Sequence, residues 1–261
     1  MGGRLDATNA LTPCVCAFGP IAMDHAKWLG DTLERIAEEK AGILKPGVPA
    51  FAFQQSAAAL TVLQSRAAAV GAPLSVLAAP WLGAAGLEGT HQRENAAVAA
   101  AAARALLPGV SDDAVALGIA AANWPARFQR LRDGRLIVDG AHNENAAAAL
   151  CAAWRDAFGE EKASVVFGAV EDKDIRAVAA AIAPVAGDWV LVKAPGSRGI
   201  PAADLTYALP PGATYRIADS VAGALSLAEG RHRRVLVAGS LYLAGEVLAL
   251  QGGAAFEASA Q

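Results

Sequence analysis

The chain has 261 residues, 54% of them hydrophobic, and a formal net charge of −3. It is long enough to bury a sizeable core in one large or two modest domains, and its charge balance excludes a general electrostatic pull toward nucleic acid or anionic membrane. Cys14, Cys16 and Cys151 make no even disulfide framework and point to a reducing, cytoplasmic setting, and no apolar span of about 18 residues free of charges and breakers is present to cross a membrane.

The chain opens on Met1-Gly2-Gly3-Arg4-Leu5-Asp6-Ala7-Thr8-Asn9, which reads as a functional loop. Cys14 to Phe18 reads as a strand, broken by Gly19-Pro20, with Asp24-His25 after it. Asp31-Thr32 begins a helix that runs to about Ala41 and closes at Gly42 as a C-cap would. Strands over Val48 to Phe53 and Leu74 to Leu77 flank a helix over Ala57 to Val70, an alternation that indicates βαβ units and a parallel sheet. A loop over 81–89 leads into a long helix from His91 to Leu107 and a shorter one from Ser111 to about Ala122. Asn123-Trp124-Pro125 ends that helix, because a residue before proline is pushed out of the helical region, and the domain boundary is placed near residue 124.

A second α/β run begins at Arg127. A hairpin is expected over Phe128 to Leu131 and Leu136 to Val138, turning at Asp133-Gly134. Helix 144–158, strand Ser164 to Phe167, helix 174–183, strand Trp189 to Val192, a Pro/Gly-rich loop over 195–201, a short helix over 202–208, strand Thr214 to Ile217, helix 219–229, strand Arg234 to Ala238 and a last helix to about Leu250 complete it. The tail over 252–261 is expected to be disordered.

Chemistry-bearing residues collect where strands stop. In open α/β sheets, ligands bind where strands end and helices begin. Asp139-Gly-Ala-His142-Asn143 follows the apolar run Leu136 to Val138, and Asp139 and Asn143 suit either a polar ligand or helix capping. Gly168 to Asp174 and Gly239-Ser-Leu-Tyr242 are two more such ends, and three on one edge favour a ligand cleft. Arg127 stands just past a rigid turn, where a guanidinium is suited to phosphate or to a surface salt bridge. His25 suits a divalent metal or a structural hydrogen bond. Lys40, beside Glu38 and Glu39, reads on pattern alone as a solvated charge on a helix face.

Taken in order, Gly2 to Asn9, Met23-Asp-His25 with Leu29-Gly-Asp-Thr32, Glu39-Lys40-Ala-Gly-Ile-Leu-Lys-Pro-Gly47, His91-Gln-Arg-Glu-Asn95, Pro125-Ala-Arg127, Asp139 to Asn143, Phe167-Gly-Ala169 with Asp172-Lys-Asp174, and Gly239 to Tyr242 resemble the folylpolyglutamate synthase/dihydrofolate synthase family of the Mur ligase superfamily. The resemblance runs from residue 2 to about 250. It implies an α/β architecture: the remainder of a central P-loop-type ATPase domain over 1–124, then a Rossmann-like C-terminal glutamate ligase domain over 125–251. It further implies an ATP- and Mg²⁺-dependent amide ligase that joins L-glutamate to dihydropteroate or tetrahydrofolate through an acyl phosphate, as a cytoplasmic monomer when full length. His25 then corresponds to a Mg²⁺ ligand, and Lys40 to a catalytic lysine that the family carbamylates. Asn95, Arg127 and Asp139 correspond to ATP contacts, and His142 takes a catalytic supporting role near the nucleotide or glutamate. A cell-wall ligase of the same superfamily fits less well, because the Arg4 to Asn9 segment and Asp172-Lys-Asp174 match the folate branch.

The chain also departs from the family. No Gly-Lys-Ser or Gly-Lys-Thr occurs in it, so no P-loop is expected from these residues. The expectation is therefore the C-terminal part of a ligase, inactive as this chain. The alternative is a non-catalytic nucleotide-binding remnant or the partner subunit of a split ligase.

Overall fold

A computed structural model describes residues 2–24, 26–171 and 173–253. The chain divides into two compact units, Met1–Asn123 and Trp124–Gln261.

The first unit is built on a parallel three-stranded sheet in the order β1 (Cys16–Phe18), β2 (Ala50–Phe53), β3 (Leu74–Leu77). Cys16 and Phe18 stand opposite Ala50 and Ala52, and Ala50 to Phe53 stand opposite Leu74 to Leu77. Its helices are α1 (Ala26–Leu29), α2 (Leu33–Ala41), α3 (Ala57–Val70), α4 (Thr90–Leu106) and α5 (Asp112–Ala120). Sequence reading finds all of these but α1, whose single turn is too short to show a 3.6-residue period. Thr32, Ser56 and Ser111 cap α2, α3 and α5 by accepting from the N–H three residues on, which satisfies donors the helix leaves orphaned. Small side chains on the facing strands (Ala50, Ala52) let the fully buried Ile36 and Leu63 of α2 and α3 share their core.

The second unit is a six-stranded sheet in the order β4 (Gln129–Leu131), β5 (Leu136–Val138), β9 (Arg234–Ala238), β6 (Ala163–Phe167), β7 (Ala186–Val192), β8 (Tyr215–Ala218). Only the β4–β5 hairpin is antiparallel. Helices α6 (Glu144–Phe158) and α7 (Ile175–Ile182), with a 3-10 helix over Ala202–Ala208, pack on a core of Ile137, Val165, Phe167, Trp189, Leu191 and Leu236. Helices α8 (Val221–Ala228) and α9 (Leu241–Gly252) pack on Leu136, Val138, Val166, Val190, Val235 and Val237. Alternate residues of one strand thus serve opposite cores, and every residue of β5 and β6 is buried. This is why these strands read as continuous apolar runs instead of alternating ones. Gly253 caps α9 in the left-handed region (φ 68°), and residues 254–261 of the expected tail lie outside the described residues.

Candidate functional site

In the first unit the chemistry gathers at the C-terminal end of α2. Gly3 lies so close to the last turn of that helix that a Cβ there would sit 2.7 Å from the Glu39 carbonyl oxygen. The Arg4 N–H instead donates to that carbonyl at 2.8 Å, and its guanidinium donates to the Glu39 carboxylate at 2.8 and 3.0 Å. Asn9 ties the segment down by donating to the carbonyls of Arg4 (3.0 Å) and Gly42 (3.2 Å). Gly42 is the C-cap that sequence reading expects, but it is right-handed (φ −59°). It is a glycine because a Cβ would lie 2.6 Å from Cα of Arg4. Lys40 faces a cavity of about 240 Å³ at the end of β1, shared with Gly2, Phe18, Gly19, Pro20 and Ile43. The motifs that sequence order keeps apart, Gly2 to Asn9 and Glu39 to Gly47, are therefore one structural piece. His25 lies outside the described residues. Asn95 sits in the second turn of α4, and its amide donates to Gln92 at 3.1 Å; no residue of α4 lines the Lys40 cavity.

In the second unit the ends of β5, β9 and β6 are adjacent. Backbone bonds lace them together: Asp139 N–H to the Val237 carbonyl (3.0 Å), Gly239 N–H to Ala141 (2.8 Å) and Gly168 N–H to Ala238 (3.4 Å). Gly239 (φ 110°) permits this, because a Cβ would stand 2.7 Å from the Gly168 carbonyl oxygen. Asn143 accepts from the Ala146 N–H at 2.8 Å and Asp174 from the Ala177 N–H at 3.0 Å, so both serve as helix caps. Asp139 does not cap α6. Its two oxygens accept from the N–H groups of Phe128 and Ala141, both at 2.8 Å.

That carboxylate grips the loop that presents Arg127. Ala126 (φ 56°) and Phe128 (φ 46°) both occupy the left-handed region, which non-glycine residues rarely enter and which costs about 1–3 kcal/mol at each such position. The loop is held in this shape at both ends: the Ala126 N–H donates to Gln129 Oε1 at 3.0 Å, and the Ala126 carbonyl accepts from Gly140 at 2.9 Å. Burial pushes the Asp139 carboxyl above the usual carboxylate range, while the N–H groups of Phe128 and Ala141 and the charges of Arg127 and His142 pull it back. Nδ1 of His142 lies 2.8 Å from the Gly140 carbonyl oxygen, a contact that places a proton on Nδ1. Sequence reading does not single out Arg198. It belongs to the loop after β7, whose Gly199 pairs with Val170 beyond β6, and it donates to the Tyr242 hydroxyl at 2.9 Å. Its only sequence signal is a glycine- and proline-rich strand end.

An acid, an arginine and an imidazole thus gather at the edge where parallel strands end, the place where open α/β sheets bind ligands. The family described as "Mur ligase, glutamate ligase domain" matches residues 126–241. The dihydrofolate synthase/folylpolyglutamate synthase of Escherichia coli is 34% identical over 267 residues, covering 95% of this chain and 62% of that protein. The structure of E. coli FolC with DHPP and ADP superposes with a TM-score of 0.86 at 31% identity, over 97% of this chain and 65% of that one. A bifunctional folylpolyglutamate synthase/dihydrofolate synthase solved with Mn, AMPPNP and L-glutamate bound gives 0.81 at 28% identity, over 97% and 65%. The chain is thus similar over nearly all of its length to the folylpolyglutamate synthase/dihydrofolate synthase family of Mur ligases, and residues 126–241 match the glutamate ligase domain. It spans 34% of the length of one curated relative and 64% of another.

Proposed function

We propose that the chain serves an ATP-dependent ligase that adds L-glutamate to dihydropteroate or tetrahydrofolate. The γ-phosphoryl group of ATP passes to the folate-side carboxylate, the glutamate amine attacks the resulting acyl phosphate, and inorganic phosphate leaves as the amide forms. The observation that carries this reading is the Arg127 loop, strained and held by Asp139 where three strand ends meet, inside the stretch that matches a glutamate ligase domain. Arg127 would meet a phosphate group through its planar fork of donors. Asp139 would hold that arginine in place while bordering the nucleotide. His142, with Nδ1 committed to Gly140, would turn its other edge to the nucleotide or the incoming glutamate. Asn95 would contribute a nucleotide contact from α4.

Among the described residues no three His, Cys, Asp or Glu side chains converge as a ready-made metal site. The family resemblance assigns the protein ligands of a metal to His25 and to a carbamate formed on Lys40, and Lys40 borders an open cavity with Gly2. Mg²⁺ usually takes only one or two protein carboxylates and fills its shell with phosphate oxygens and water. Bound there, it would offset negative charge on the transferring phosphoryl group. A cytoplasmic, monomeric setting goes with this reading; no helix among the described residues is long and apolar enough to cross a membrane.

Since the sequence holds no Gly-Lys-Ser or Gly-Lys-Thr, the proposal assigns the cradle of the β- and γ-phosphates to residues outside it. That feature also favours the second reading, a nucleotide-binding chain without turnover that partners the rest of a ligase. Isothermal titration of ADP with Mg²⁺ into the chain, alongside Arg127→Ala, tests the core of the proposal. Binding is expected to weaken about tenfold or more, the worth of a lost charge-assisted contact. Equal affinities would remove Arg127 from the site. Turnover of dihydropteroate or tetrahydrofolate with glutamate by these 261 residues alone would overturn the assigned inactivity.

A further inference from the structure

The opposite pole of the second unit, where β5 and β9 begin, holds a cavity of about 530 Å³ lined by Arg132, Arg135, Glu229, His232 and Arg233. That volume lies within the range of small-molecule sites. Its charges do not balance. Glu229 is engaged by Arg132, whose Nε also donates to Gln251 at 2.7 Å. His232 stands 3.6 Å from the buried Asp188. The Arg135 guanidinium donates to the Arg132 carbonyl at 3.4 Å, and among the described residues neither it nor that of Arg233 has a carboxylate within 4 Å. Helix ends explain part of this cluster. The last turn of α8 points its carbonyls this way, and Arg216 donates to one of them, at Leu227. A helix C-terminus is worth about half a negative charge, which does not offset two unmatched guanidinium groups. The hairpin that carries Arg132 and Arg135 is also held in an uncommon shape, with Arg132 and Asp133 both left-handed (φ 51° and 54°).

We propose that this pole binds a small oligoanion bearing two or more phosphate or carboxylate groups, gripped chiefly by Arg135 and Arg233. The site is separate from the strand-end site, which lies at the other end of the same strands, and it does not depend on the ligase reading. Guanidinium forks bind both phosphate and carboxylate bidentately, so the two sources share one chemistry.

The test titrates tripolyphosphate, and separately triglutamate, into the 261-residue chain at low salt by calorimetry, with Arg135→Ala/Arg233→Ala and Arg127→Ala beside it. Both residues of the double variant are exposed, and its melting temperature should match that of the parent. At least one anion is expected to bind, with affinity falling as salt rises. The double variant should weaken that binding about tenfold or more while Arg127→Ala leaves it in place. Whichever anion binds identifies the chemical source. The proposal is overturned if neither anion binds. It is equally overturned if binding survives the double variant, or is lost with Arg127→Ala alone, since the anion would then occupy another site.

Discussion

Asp139 does more than an acid at a strand end needs to do. Two backbone donors converge on it, and one belongs to a residue held at positive φ. Asp139→Ala leaves both N–H groups without their acceptor, at about 1–3 kcal/mol each, so a loss of about 2–6 kcal/mol is expected in urea unfolding. The ionisation of this carboxyl also makes stability depend on pH. Its folded pKa is raised by burial. A carboxyl of that kind binds its proton more tightly in the folded chain. Its contribution is therefore fully present below the unfolded value, about 4, and is lost as pH rises through the folded value. Urea midpoints of the parent should carry a downward component over that rise, and Asp139→Asn should lack it; identical slopes would show that the carboxyl does not titrate there. The cysteines differ in a similarly direct way. Cys14 is exposed, whereas Cys16 and Cys151 are buried, and burial pushes the Cys151 thiol up to about 11. A maleimide should modify Cys14 in the folded chain and reach Cys151 only on unfolding, because the thiolate is the reactive form. Modification of Cys151 at the rate of Cys14 would contradict the buried placement of α6.

At the scale of elements, sequence reading succeeds where one physical signal dominates. Helix α3 and strand β3 fall on the expected residues, Ala57–Val70 and Leu74–Leu77, because an N-capping serine and a left-handed glycine bracket the first and a turn precedes the second. Strand β7 begins at Ala186, three residues before the expected start at Trp189. Gly187 and Asp188 look like turn residues, and only a tertiary partner explains a buried aspartate in a strand: Ser164 of β6 donates to it at 2.7 Å. The tie between the Gly2–Asn9 segment and α2 is likewise invisible to local patterns, since its two sides are 35 residues apart. It yields a sharp expectation. Gly42→Ala would place a Cβ 2.5 Å from that of Arg4, so the segment must shift. Overpacking of this kind costs about 1–3 kcal/mol, and it should appear as faster hydrogen exchange at the Arg4 amide, which otherwise donates to Glu39. Unchanged exchange would mean that the segment is not docked as described.

Across the second unit, opposite ends of one sheet do different work. Asp139 and His142 follow β5 at this edge, Arg127 precedes the antiparallel β4 and Arg198 follows β7; the three strand-end motifs mark the edge in the sequence, but not Arg198. What sequence does not show there is strain: Ala126 and Phe128 are not residues that announce a positive φ, so the loop that aims Arg127 becomes visible only in the fold. The amino ends hold an ionic knot that sequence does not reveal at all, because its members come from four separate segments. Asp188, 2% exposed, accepts from Ser164 at 2.7 Å and Arg216 at 2.6 Å, with Arg231 and His232 at 3.7 and 3.6 Å. A buried pair of this kind adds little over a well-packed apolar one, yet removing one partner strands the other charge. Arg216 is the group left exposed to that penalty, since its Nε is already buried without a partner. Asp188→Ala should therefore destabilise the chain by about 3–5 kcal/mol, far more than its loss of packing. Replacing Arg216 as well, Asp188→Ala/Arg216→Met, removes the stranded charge and should restore a large part of that loss. The pair of measurements separates two causes by chemical denaturation: if the double variant is as unstable as the sum of the singles, the aspartate acts through packing of β7 and not through the charge it neutralises.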